Sequence, residues 1–173
     1  AGLAYLASRD RLALLGEPRV GTDVDGTSIV MISPHEDIAG VVHVAFEVNT
    51  SVNLAFDDAK SELLLLDETR MEIGRLSVGL NGITPARKLI RIEVDALGPL
   101  QANGMAVDAR ERRLFILDNG RLQILSADLD DDFGMVSRID LRHLGEAALA
   151  GIAVHPYSGH LFLANVAGMT LYE

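Results

Sequence analysis

One phrase recurs four times along this chain, and the recurrence constrains the fold more than any single segment does. It reads GLAYL at 2–6 followed by RLALL at 11–15, then NLAFD at 53–57 followed by ELLLLD at 62–67. The third copy is GMAVD at 104–108 with RLFILD at 113–118, and the fourth is GIAVH at 151–155 with HLFLAN at 160–165. The copies start at Gly2, Asn53, Gly104 and Gly151, about 51, 51 and 47 residues apart. A period of this length means one supersecondary unit copied along the chain, each copy relying on its neighbours to bury its faces.

Within each copy the pattern reads as strands. Apolar positions alternate in the first stretch, so that Met105 and Val107 point one way and Ala106 the other. A polar turn follows at 7–10, 58–61, 109–112 and 156–159, suited to an antiparallel reversal. Then comes a nearly continuous apolar strand, as in Leu114–Leu117 and Leu161–Leu163. A strand apolar on both faces must be covered on both, which stacked sheets achieve. Third strands fit 29–32, 71–77, 121–126 and 169–172; in the third copy Leu122 and Ile124 share one face, Arg121 and Gln123 the other. Outer strands fit 41–48, 88–94 and 136–141, and their charges (Arg91, Glu93, Arg138, Asp140) suit an edge facing water. Residues 67–76 contain helix formers, but the equivalent stretches alternate with period two. Residues 141–149 suit a short helix inserted between sheets. The pattern therefore predicts an all-β chain, a β-propeller of four-stranded antiparallel blades with about 3.75 blades present. As a single segment its blades run 1–49, 50–98, 99–149 and, in part, 150–173.

Composition narrows the partners. The 173 residues are 49% hydrophobic and carry a net charge of −10. Such a surface repels a phosphate backbone, so no nucleic acid is expected as partner. The longest undiluted apolar run, Leu63–Leu66, is a strand's worth, so no membrane insertion is expected. Cysteine is absent, which excludes disulfides and thiolate metal sites. It leaves the compartment open, with the periplasm or extracellular space slightly favoured. The chain begins with Ala1 and shows no leader, the expectation for a processed product or an excised piece.

The phrases at 104–118 and 151–165 resemble the blade consensus of six-bladed propellers: NHL repeats, YWTD repeats of lipoprotein-receptor type, and the gluconolactonase and senescence-marker-protein family. The resemblance touches all four copies and implies about six blades, more than this chain supplies. Missing blades could lie in another segment or chain, two copies could join as a homo-oligomer, or the chain could close as a small ring. An open arc leaves apolar blade faces wet, so a protein partner or further blades covering the open faces are expected. The expected function is a non-catalytic scaffold for protein or ligand binding within a larger assembly. The alternative is a metal-dependent, lactonase-like hydrolase completed by blades outside this chain; a purely structural repeat in a large extracellular protein is a third.

Several residues are candidates for chemistry. In the lactonase-type family an Asn just before the Gly of the innermost strand is one ligand of a divalent metal, and Asn103-Gly104 matches that arrangement. The corresponding Ala1, Val52 and Ala150 do not. Asn103 could equally cap a turn. Asp67, Asp118 and Asn165 close the second strands, with Leu15-Gly16-Glu17 at the equivalent place. They would either ring the channel entrance for a ligand or open the next turn by bonding its amides. Asp128, Asp130 and Asp132 alternate ahead of Gly134, a spacing that could gather oxygens around Ca2+. The loop departs from an EF-hand, and such a run also makes a solvated turn. Asp23 and Asp25 form a weaker pair. His155 and His160 flank a turn, and His35, His43 and His143 are isolated, so no zinc spacing is present. Nucleophile elbows, Walker loops and dinucleotide turns are missing, and no catalytic residue is assigned. Asn49-Thr50-Ser51 is a formal glycosylation triplet.

Overall fold

The computed structural model describes residues 2–16, 27–33, 36–44, 52–68, 70–79, 82–84, 89–91, 100–145 and 148–173. Glu17, the Asp23 and Asp25 pair, His35, the triplet at 49–51 and the outer-strand residues 45–48, 88 and 92–94 lie outside the described residues. The described residues form sixteen strands in four antiparallel sheets with almost no helix, a partial β-propeller.

Two compact units divide the chain, Ala1–Leu89 and Ile90–Glu173. In the first, β1 (Leu3–Leu6), β2 (Arg11–Gly16), β3 (Thr27–Ser33) and β4 (Glu36–Val44) pair in chain order as sheet 1. Sheet 2 holds β5 (Val52–Asp57), β6 (Glu62–Asp67), β7 (Glu72–Gly79) and β8 (Gly82–Thr84), and β9 (Leu89–Arg91) also pairs with β7. In the second unit, β10 (Ala102–Asp108), β11 (Arg113–Asp118), β12 (Gln123–Asp128) and β13 (Met135–Asp140) make sheet 3. Sheet 4 is β14 (Leu149–Val154), β15 (Leu161–Asn165) and β16 (Thr170–Tyr172).

The repeated phrase folds in one register throughout. Leu3 pairs with Leu14, Leu54 with Leu65, Met105 with Ile116, and Ile152 with Leu163, the same phrase position in every copy. In the second, third and fourth copies the third strands start later than the pattern suggests, while in the first β3 starts earlier, at Thr27. Met71, Leu122 and Met169 belong to the preceding turns, at φ 54°, 49° and 46°. Reversing the chain there needs one left-handed residue, which costs a non-glycine residue about 1 kcal/mol. In the second copy the expected outer strand over 88–94 is described at β9, Leu89–Arg91. Both β8 and β9 pair with β7, Gly79 lying opposite Gly82. Between sheets 3 and 4 the expected insert is a single 3-10 turn, Arg142–Leu144.

Each unit is a sandwich of its two sheets. In the first, Ala4, Leu6, Ala13, Ile29 and Met31 of sheet 1 meet Leu54, Leu63, Leu65, Leu76 and Val78 of sheet 2. In the second, Phe115, Leu117 and Ile124 of sheet 3 meet Leu149 and Leu163 of sheet 4, with Leu141 joining from the connection. All four leucines of Leu63–Leu66 are buried, as a strand apolar on both faces requires. Each contributes about 1.5–3 kcal/mol relative to exposure.

Candidate functional site

The acidic residues of the repeat build its turns. At the close of the first strands, Asp57 Oδ1 accepts from the amides of Ala59 (3.1 Å) and Lys60 (3.4 Å). Asp108 Oδ1 accepts from those of Arg110 (2.9 Å) and Glu111 (3.1 Å). In the fourth copy His155 Nδ1 takes that place, accepting from the Ser158 amide at 3.1 Å. At the close of the second strands, Asp67 Oδ1 accepts from the Arg70 amide (3.1 Å) and Asn165 Oδ1 from the Gly168 amide (3.2 Å). Asp118, fully buried, is held differently. Its Oδ1 accepts from the Gln101 amide (3.4 Å), and its Oδ2 from Arg121 Nη1 and Gln123 Nε2, both at 3.0 Å.

Asn103 sits on a bulge at the start of β10 and is exposed; its Nδ2 donates to the Leu149 carbonyl of β14 at 3.1 Å. Ala150 occupies the matching bulge in sheet 4. Gly104 allows this close approach: a Cβ there would lie 3.0 Å from both the Cγ2 and the backbone nitrogen of Ile152. Strand pairing places Asn103, Asp118 and Asn165 at the same end of sheets 3 and 4, since Ala102 pairs with Asp118 and Leu149 with Asn165. Asp67 closes β6 opposite Val52 in the other unit.

The 128–134 loop also works as a turn. Asp128 Oδ1 accepts from the amides of Asp130 (2.7 Å) and Asp131 (3.2 Å), and Asp132 and Phe133 take left-handed φ of 42° and 65°. Asp130 receives Arg112 Nε at 3.1 Å. Among the described residues, no three His, Asp or Glu side chains are grouped to hold a metal ion.

What the fold does gather is a cleft of about 310 Å³ in the second unit, lined by Arg121, Gln123, Arg138, Asp140 and Arg142. The β12–β13 register sets Gln123 opposite Asp140 and Leu125 opposite Arg138. Arg121 reaches in from the turn after β11, anchored on buried Asp118. Arg142 opens the 3-10 turn and forks onto Asp140, its Nε 3.0 Å from each carboxylate oxygen. The Arg142 side chain, then its backbone amide, hold the Asp140 carboxyl down to about 2, and Asp140 in turn raises Arg142. The sequence pattern places Arg121 and Gln123 on one face of a strand and Arg138 and Asp140 at an edge facing water; in the structure Arg121 belongs to the turn before β12 and still meets the other three. The signal was two adjacent strands of one copy presenting polar side chains to the same face.

No protein-family model matches the chain, and no curated protein matches it in sequence. Solved structures do. The chain is similar to the β-propeller domain of Cps50 (Swd1) from Myceliophteria thermophila, at 14% identity and TM-score 0.62, over 99% of this chain and 52% of that one. It is similar to regucalcin, a calcium-binding protein from Agrobacterium tumefaciens, at 14% identity and TM-score 0.62, over 94% and 51%. A luciferin-regenerating enzyme aligns at 12% identity and TM-score 0.65, over 95% and 53%. At these identities the likeness is one of fold, and the chain spans about half the length of these structures.

Proposed function

We propose that this chain is a non-catalytic propeller segment, a binding scaffold whose outer blade faces are covered by further blades or a protein partner. The observation that carries this reading is the outer face of sheet 1. The register aligns Leu3, Leu14 and Val30 in one row and Tyr5, Leu12 and Ile32 in the next. All six are apolar, yet Leu3 is 58% and Tyr5 54% exposed. Sheet 4 carries a second such face, with Phe162 opposite Ala153 and Ala164 opposite Leu171, the last 66% exposed. Leaving contiguous apolar area wet costs about 25 cal/mol per Å², so a blade face of this composition is built to be covered. The match to about half the length of these solved structures supports the same reading.

Replacing both Leu3 and Tyr5 by lysine tests it. The variant should keep the thermal midpoint of the isolated chain and lose its tendency to associate. A midpoint lowered by many degrees would mean the face is packed within the chain itself, and would overturn the reading.

Exposed Asn103 beside Gly104, together with a regucalcin-like fold, favours a second reading, the lactonase-like hydrolase completed by blades outside this chain. A calcium-dependent rise in melting temperature that Asn103→Ala abolishes would support it. No calcium response would remove it. A response that survives Asn103→Ala would move attention to Asp128, Asp130 and Asp132.

A further inference from the structure

We propose that the arginine cleft on sheet 3 binds a small ligand through an oxyanion group, a carboxylate or a phosphate. The chain carries 25 acidic and 15 basic residues, yet three of its arginines converge on one concavity. Two of the three are held in place by carboxylates. Arg121 is tied at 3.0 Å to Asp118, which is fully buried, and Arg142 forks onto Asp140. Guanidinium groups oriented in advance lose less entropy when an anion arrives, and their planar fork matches a carboxylate or phosphate edge. Asp118 and Asp140 balance two of the positive charges and leave one in excess, supplied by Arg138. Arg138 is exposed and makes no ion pair within the described residues.

The floor of the cleft adds selectivity. Gln123 turns its amide nitrogen to Asp118, so its carbonyl oxygen remains as an acceptor beside the cationic rim. A volume of about 310 Å³ lies at the small end of ligand sites and exceeds what a bare anion fills. The fitting class is therefore a small organic acid or phosphate ester. The cleft lies wholly within the second unit, so the inference does not depend on what covers the outer blade faces.

Titration calorimetry of the whole 173-residue chain at low ionic strength, with inorganic phosphate and with citrate as probes, tests the inference. Saturable binding of at least one probe is expected, weakened about tenfold by Arg138→Gln and little changed by Arg110→Gln, which removes the same charge outside the cleft. Amide shifts on binding should concentrate at 121–125 and 138–144. Phosphate binding without citrate binding assigns a phosphoryl group, and the converse a carboxylate. Absence of saturable heat with either probe would overturn the inference. So would binding that Arg138→Gln and Arg142→Gln both leave intact, or binding that Arg110→Gln weakens equally.

Discussion

Asp108 illustrates how single residues hold the repeat. Its carboxylate, buried at the end of β10, collects two turn amides and lets Arg112 take φ 54°. Asp57 does the same in the second copy. Asp108→Ala should destabilise the chain by about 1–2 kcal/mol in a denaturant titration. Gly104→Ala should cost about 1–3 kcal/mol by the same measurement, because the added methyl meets the backbone of β14 at 3.0 Å. Ser126 predicts the opposite sign. Its Oγ is buried without a hydrogen-bond partner, so Ser126→Ala should be neutral or stabilising by about 1 kcal/mol. Asp140 gives a pH signature. Its carboxyl titrates at about 2, below the ordinary 3.8, because Arg142 bonds the ionised form. A lowered folded-state value means that the interaction is present above pH 4 and is lost as the pH falls towards 2. Arg142→Gln should return the midpoint, followed by carboxyl NMR, towards 3.8.

At the scale of elements, the strand–turn–strand phrase was legible in the sequence, and the structure adds its register. Alternation fixed the faces of β10, and an unbroken apolar run fixed β11 as covered on both sides. The ends of the third strands were not legible. Met71, Leu122 and Met169 are apolar and look like strand residues, yet each is the left-handed closing residue of a turn. That conformation is imposed by the reversal of the chain and leaves no mark on side-chain type. The side-chain acceptors that make those turns, by contrast, were visible as Asp67 and Asn165, whereas Asp118 bonds the Gln101 amide and the side chains of Arg121 and Gln123 instead. The arginine cleft was only half legible. Period-two alternation put Arg121 and Gln123 on one face, but only the β12–β13 register brings Asp140 and Arg138 beside them. Within sheet 2, Leu65→Ala should remove about 2–5 kcal/mol, since Leu65 is buried against Ala4, Leu6 and their neighbours of sheet 1.

For the whole molecule, four copies of one sheet leave two apolar faces, on sheet 1 and on sheet 4, that this chain's own sandwiches do not fully cover. Regular blades, turns built by side-chain acceptors and an apolar outer face are the features on which the proposed binding segment rests. Light scattering of the isolated chain across a range of concentrations tests this most directly. The account predicts particles heavier than the 18.6 kDa of one chain, with the mass falling to that value when Leu3 and Tyr5 are both lysine. A wild-type chain that stays a stable, soluble 18.6 kDa monomer at every concentration would contradict it.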